Sequence, residues 1–134
     1  MLSAACGRVH CLPAFPAGFL RAVWPRARVA LWSNACVFVR VWEYEVRGDR
    51  AAAFAAAYGP DGAWGQLFGR AAGFAGTELY RDAGRGDRYL TIDRWQDERD
   101  WRSFLRAFSS EYESLDVRLE GLAVAERPLF EGSA

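Results

Sequence analysis

Alternating positions mark the first regular element of the chain. Between residues 36 and 46, valines and glutamates share one face, and the opposite face carries the larger side chains Phe38, Arg40, Trp42 and Tyr44. A period of two with β-branched and aromatic residues predicts a strand. Because both faces are apolar in its first half, we expect both faces to be covered.

An alanine-rich stretch follows this strand. Residues 51–58 predict a helix with Asp49 as its N-cap, and a Gly-Pro pair stops it. Asp61 is then expected to cap a second short helix, whose apolar residues recur at spacings of three and four.

The second half of the chain alternates strands and a long helix. Residues 74–82 and 88–95 predict two strands joined by a glycine-rich hairpin loop. Asp97 is the expected N-cap of a helix with apolar residues at i, i+3, i+4 and i+7, bent near Ser109. Residues 123–130 predict a short last strand.

The element order β-α-β-β-α-β predicts an α+β fold, the ferredoxin-like split unit. Right-handed crossovers give a four-stranded antiparallel sheet with the helices on one face. The other sheet face would remain apolar and bare, so a partner sheet is its natural cover and we expect a homodimer. This domain is expected to span residues 36–130, followed by a tail of residues 131–134.

Residues 1–35 differ from the rest in composition, with four arginines and no acid. Prolines interrupt their apolar run, which is too short to span a bilayer and matches a secretory signal poorly. An organelle transit peptide fits somewhat better. A third interpretation, which we favour, is an artefact of start-site choice with the true start at Val37. We predict low order for residues 1–34.

Composition narrows the function classes. The chain is 51% hydrophobic with a formal net charge of zero, which indicates a globular protein and argues against a nucleic-acid or membrane-surface binder. Three cysteines are too few for a disulfide scaffold, so we expect free thiols and a cytoplasmic location. Cys6, His10 and Cys11 offer at most three ligands where a closed zinc site needs four, so no metal is expected.

Asp93 is the main candidate for chemistry. It lies in the middle of a strand, where desolvation raises the pKa of a carboxyl group toward that of a useful base. The neighbouring strand should bring Arg40 opposite, either as the partner of a structural ion pair or as a group that stabilises an anion. Since residues 36–134 contain neither histidine nor lysine, any general base must be a carboxylate, a tyrosine or water. Arg94 and Glu43 are weaker candidates.

Aromatic side chains are unusually frequent in the same segment. Such residues most often form the core, but they could also line a pocket for a flat ligand. The candidates for its wall are Trp42, Tyr44, Tyr58 and Trp64.

Several motifs carry a family resemblance. They are Val-Trp-Glu-Tyr at 41–44, Tyr-Gly-Pro-Asp-Gly-Ala-Trp at 58–64, Gly-Thr-Glu-Leu at 76–79, Arg-Tyr-Leu-Thr-Ile-Asp-Arg-Trp at 88–95 and Glu-Tyr-Glu-Ser-Leu-Asp at 111–116. From Val37 to about Gly132 the chain resembles the antibiotic biosynthesis monooxygenase-like proteins, which form dimeric α/β barrels. Trp95 matches a strand-three tryptophan of the haem-degrading relatives, and this adds it to the candidate pocket wall.

The resemblance implies several activities. Some relatives oxidise polycyclic phenols without metal or flavin, because the deprotonated substrate itself reduces oxygen. Others degrade haem with a histidine ligand, and the only histidine here is His10, outside the resemblance. We therefore expect a cofactor-independent monooxygenase-like enzyme for an aromatic or polyketide-like small molecule, with Asp93 as base or anchor and Arg40 as anion partner. The alternatives are a non-catalytic dimeric ligand-binding or stress-related module, and a subunit that assists a larger enzyme.

Overall fold

The structure, a computed structural model, describes residues 37–134. The predictions for residues 1–35, including the Cys6, His10 and Cys11 cluster, fall outside these residues. Four strands are present: β1 (Phe38–Glu45), β2 (Phe74–Arg81), β3 (Arg88–Trp95) and β4 (Ala125–Ser133). Four helices accompany them: α1 (Ala51–Tyr58), α2 (Ala63–Phe68), α3 (Glu98–Ala107) and α4 (Ser109–Leu119). A single 3-10 turn, Gly48–Arg50, precedes α1.

The strands form one antiparallel sheet in the order β2-β3-β1-β4. This order and the helices between the strands confirm the predicted ferredoxin-like α+β fold. β3 lies beside β1, and the register places Arg40 directly opposite Asp93. The two candidate residues therefore share one face of the sheet, as expected from their strands.

The last strand differs from its predicted bounds of 123–130. It starts at Ala125 and continues to Ser133, because its final residues pair with the start of β1. Glu131 lies opposite Arg40, past an irregularity in register between Val41 and Trp42. The predicted tail thus forms part of the strand up to Ser133.

Only one of the three predicted helix caps forms. The Asp97 side chain accepts a hydrogen bond from the Asp100 backbone N–H at 2.8 Å, which caps α3. Gly62, rather than Asp61, occupies the N-cap position of α2. Asp49 lies inside the 3-10 turn, where its carboxylate pairs with Arg47. The predicted long helix is divided into α3 and α4 at Phe108, one residue before the bend predicted at Ser109.

The core lies between the helices and one face of the sheet. Trp95, Phe54 and Phe104 are its largest fully buried side chains. Trp95 packs on the rings of Phe68, Trp101 and Phe104 with centroids 5.4–5.7 Å away. None of the helices within residues 37–134 has both the length and the apolar character needed to cross a bilayer.

Candidate functional site

A cavity lies on the helical face of the sheet, where α2 and α4 pass over β1 and β3. Its volume is about 50 Å³. An apolar cavity that accommodates benzene measures roughly 150 Å³, so this one holds the edge of an aromatic ring or a few waters. Its polar floor comes from the sheet and consists of Arg40, Thr77, Thr91 and Asp93.

Asp93 is the carboxylate at the floor of the cavity. It is only 7% exposed, and the Thr77 hydroxyl donates a hydrogen bond of 2.6 Å to Oδ1. Burial raises the pKa of Asp93, and the Thr77 hydrogen bond and the charge of Arg40 oppose that shift without cancelling it. A raised pKa moves a carboxylate in the direction that general-base catalysis requires.

Arg40 lies beside Asp93 but binds a different carboxylate. Its Nε donates to Oε2 of Glu131 at 3.0 Å. Its guanidinium carbon lies 3.9 Å from the ring centroid of Trp101 and 5.6 Å from that of Trp42, within the range of cation–π contacts. The predicted Arg40–Asp93 ion pair is not among the salt bridges of residues 37–134. Arg40 forms its ion pair with Glu131 of β4 instead.

Aromatic rings form the rest of the wall. Tyr44, Tyr58, Trp64 and Tyr112 contact one another in sequence, with centroids 4.9 Å, 6.3 Å and 5.0 Å apart. Burial is the largest cause of a raised pKa at each of the three tyrosines. These phenols are neutral at physiological pH and can only donate or accept hydrogen bonds. Among residues 37–134, Asp93 is therefore the buried side chain of the lining that can act as a base.

Two further carboxylates, Asp116 and Glu126, also line the cavity. Burial, followed by the nearby Asp116 charge, raises the pKa of Glu126. Within residues 37–134 neither carboxylate forms a salt bridge within 4.0 Å. Both residues are exposed, so they form an acidic edge of the cavity that faces solvent.

The cavity brings together six of the seven candidate site residues: Asp93, Arg40, Trp42, Tyr44, Tyr58 and Trp64. Trp95 is placed elsewhere, fully buried in the core and outside the cavity lining. The weaker candidates are engaged in ion pairs outside the lining, Arg94 with Glu78 at 2.7 Å and Glu43 with Arg88 and Arg127.

Sequence reasoning missed Thr77 and Glu131 as partners of the two charged residues. Thr77 lies opposite Asp93 in the β2–β3 register, so an exact alignment of the two strands would have found it. The contact of Glu131 with Arg40 could be predicted only with the register irregularity between β1 and β4 already known. Among residues 37–134 no three His, Cys, Asp or Glu side chains converge as metal ligands.

Several solved structures resemble this fold. SnoaB, a cofactor-independent oxygenase from Streptomyces nogalater, is 20% identical with a TM-score of 0.52, over 73% of this chain and 90% of its own. A proposed antibiotic biosynthesis monooxygenase from Bordetella bronchiseptica is 18% identical with a TM-score of 0.54, over 74% and 95%. A proposed monooxygenase from Lactobacillus acidophilus is 10% identical with a TM-score of 0.57, over 72% of this chain but only 44% of its own. At these identities the likenesses establish the fold alone.

Sequence comparison identifies the family. No curated protein matches the chain. The family profile described as antibiotic biosynthesis monooxygenase matches residues 37–110, more than half of the chain. That segment contains the first three strands and both charged residues of the cavity floor. The chain therefore belongs to the antibiotic biosynthesis monooxygenase family.

Proposed function

We propose that this protein is a cofactor-independent monooxygenase for an aromatic small molecule that carries an acidic O–H or C–H group. The observation that carries the proposal is Asp93, a buried carboxylate with a raised pKa on the floor of an aromatic cavity. Family membership and the fold shared with a cofactor-independent oxygenase support the same class of reaction.

In the proposed reaction Asp93 accepts the substrate proton. The Thr77 hydroxyl, which donates to Oδ1 at 2.6 Å, holds the carboxylate in place. Arg40, fixed by Glu131 and by stacking on Trp101, stabilises the substrate anion electrostatically. Arg40 is paired with Asp93 across β1 and β3, so its positive charge would lie close to the substrate atom that loses the proton.

Oxygen is the oxidant and the substrate is the reductant. The electron-rich anion transfers an electron to O₂, and recombination forms a carbon–oxygen bond to a peroxide. When the oxidised carbon is a CH₂ carbon of the substrate, the proton held by Asp93 returns to the peroxide, and loss of water with the remaining hydrogen of that carbon leaves a carbonyl. One oxygen atom enters the product and the other leaves as water, so no added reductant is needed.

The size of the cavity limits how the substrate binds. A volume of about 50 Å³ admits the reacting edge of a ring system and excludes a whole polycycle. Trp42 is only half-buried on this wall, so a shift of its indole would widen the entrance. The bulk of a larger substrate would lie outside the cavity.

We further propose that the protein acts as a homodimer. The sheet face opposite the helices carries half-buried Val39, Val41, Leu90 and Ile92. Phe130 of β4 lies opposite Val41 on this face and is 54% exposed. A second sheet packed here would cover these apolar side chains.

Oxygen uptake by the full chain tests the proposed activity. The assay would use anthrones and hydroquinones with no added flavin or metal. We expect turnover of at least one class and a loss of about 100-fold or more in Asp93→Asn, in line with removal of a general base. Asp87→Asn, in the exposed hairpin turn, is the matched control and should retain full activity. Equal turnover by the wild-type protein and Asp93→Asn would refute the role of Asp93.

The small cavity volume favours a second candidate function, a non-catalytic dimeric ligand-binding module. Such a module would bind aromatic ligands without consuming oxygen. Saturable quenching of tryptophan fluorescence without oxygen uptake for any ligand class would support it over the monooxygenase.

A further inference from the structure

Two carboxylates compete for the guanidinium of Arg40. Strand β1 lies between β3 and β4, and Arg40 is paired with Asp93 on one side and with Glu131 on the other. Opposite charges at directly paired positions of neighbouring strands attract each other. Within residues 37–134, the salt bridge of Arg40 is with Glu131, whose Oε2 accepts from Nε at 3.0 Å. The guanidinium therefore binds the carboxylate of β4 and not that of β3.

The two carboxylates differ in their contact with water. Asp93 is 7% exposed, whereas the side chain of Glu131 is 50% exposed. Attraction between charges is stronger where water is excluded, and the Arg40 side chain is itself only 10% exposed. A buried guanidinium without a carboxylate partner is costly. Without Glu131, the Arg40 guanidinium would therefore turn toward Asp93.

The irregular register of β4 brings Glu131 to this position. The register shifts between Val41 and Trp42, so that Leu129 is an extra residue without a partner on β1. One extra residue in a strand moves the residues after it to the opposite face of the sheet. Here it places Glu131, and not the apolar residue before it, opposite Arg40.

Two further contacts keep Arg40 and Asp93 apart. The guanidinium carbon of Arg40 lies 3.9 Å from the ring centroid of Trp101 in α3, which orients the guanidinium through a cation–π contact. The Thr77 hydroxyl of β2 donates to Oδ1 of Asp93 at 2.6 Å. Each charged side chain of the cavity floor is thus held by contacts that do not involve the other.

Burial, the Thr77 hydrogen bond and the Arg40 charge set the pKa of Asp93, in that order of size. The other titratable groups of the cavity lining are Tyr44 of β1, Tyr58 of α1, Tyr112 and Asp116 of α4, and Glu126 of β4. Because Arg40 is the charged group among the three causes, we expect a change at Glu131 to reach Asp93 through Arg40.

We propose that Glu131 is a positioning residue, which holds the Arg40 guanidinium away from Asp93 and so leaves Asp93 able to accept the substrate proton. This inference rests on the proposed function, because it takes Asp93 as the base and Arg40 as the anion partner. Glu131 lies outside both the cavity lining and the residues that the family profile matches. It acts through Arg40 and not on the reacting atoms.

Carbon-13 NMR titration of the Asp93 carboxyl group in the full chain tests this inference. The resonance is assigned from its loss in Asp93→Asn. In Glu131→Ala we expect the pKa of Asp93 to fall by about one unit, as a neighbouring arginine causes. Glu126→Ala removes a carboxylate from the same strand and leaves the Arg40 ion pair intact. It should change the pKa of Asp93 by less than about 0.3 unit.

Arg40→Leu removes the group through which Glu131 is proposed to act. The pKa of Asp93 should rise in this variant, because a charge that lowers it is lost. Adding Glu131→Ala to Arg40→Leu should then change that pKa little. An unchanged or raised pKa in Glu131→Ala alone, an equal fall in Glu126→Ala, or an equal fall with and without Arg40 would overturn the inference.

Oxygen uptake separates this inference from the proposed function, because the titration needs no substrate. A fall in the pKa of Asp93 in Glu131→Ala, with no turnover by the wild-type protein, would keep the positioning of Arg40 and refute the monooxygenase. Turnover that is lost in Asp93→Asn, with the pKa of Asp93 unchanged in Glu131→Ala, would do the reverse. Where both hold, the acidic limb of kcat/KM in Glu131→Ala should move to lower pH by the same amount as the pKa.

Discussion

Asp93 accepts a hydrogen bond from the Thr77 hydroxyl and lies opposite Arg40 in the β1–β3 pair. Neither contact offsets the cost of removing a carboxylate from water, so its pKa is raised. The folded protein thus holds the Asp93 proton more tightly than the unfolded chain does. This difference links the proposed chemistry to the stability of the protein.

The linkage predicts how stability changes with pH. Below the ordinary carboxyl pKa of 3.8, Asp93 is protonated in both states and contributes nothing. As the pH rises above that value the unfolded chain releases the proton first, so the free energy of unfolding falls until the folded pKa is passed. Asp93→Asn lacks this loss and should be at least as stable as the wild-type protein at neutral pH.

Urea unfolding between about pH 4 and pH 8 measures this effect. The difference in free energy between Asp93→Asn and the wild-type protein should grow in favour of the variant as the pH rises. Asp87→Asn, at an exposed turn position, controls for the loss of one negative charge. A variant that is destabilised most at neutral pH would indicate that the ionised Asp93 is held by an ion pair.

At the same scale, the sequence predicted some contacts and not others. Alternation along β1 and β3 was enough to place Arg40 and Asp93 side by side. It could not assign their partners, because Thr77 and Glu131 are brought in by two other strands with irregular registers. Trp95 shares the face of Asp93 but lies two residues along the strand, which places it under α3 in the core.

At the scale of elements, the helix N-termini also show that the sequence identifies candidate residues but not the contacts they make. Asp49, Asp61 and Asp97 all precede helical patterns, yet only Asp97 accepts a backbone N–H. At α2 the Gly62 N–H donates a hydrogen bond to the Gly59 carbonyl, and this turn places the N-cap at Gly62, one residue past Asp61. Composition identifies a candidate cap, while the backbone of the preceding turn decides its position.

These two aspartates form a matched pair for measurement. Asp97→Ala should lower the free energy of unfolding by about 0.5–2 kcal/mol, since it removes the cap of α3. Asp61→Ala should change it by less than about 0.5 kcal/mol, because only the backbone oxygen of Asp61 accepts a hydrogen bond, from Gln66. Chemical denaturation of both variants checks the difference, and equal losses would contradict the assigned cap.

At the scale of the whole molecule, the open sheet face predicts self-association. The wild-type protein should be a dimer at micromolar concentration, measured by light scattering. Phe130→Asp places a charge on the apolar face and should weaken the dimer about 100-fold or more. Ala53→Asp, on the exposed side of α1, is the control and should remain dimeric. A monomeric wild-type protein would contradict the proposed use of this face.

Proton transfer from the substrate to Asp93 is the central step of the proposed reaction, and absorption spectroscopy without oxygen isolates it. An anthrone titrated with excess full-length protein under anaerobic conditions should show the band of its anion at a pH where the free compound is neutral. Asp93→Asn should bind the anthrone and leave it neutral. A neutral spectrum with the wild-type protein, or the anion band with both proteins, would contradict Asp93 as the base.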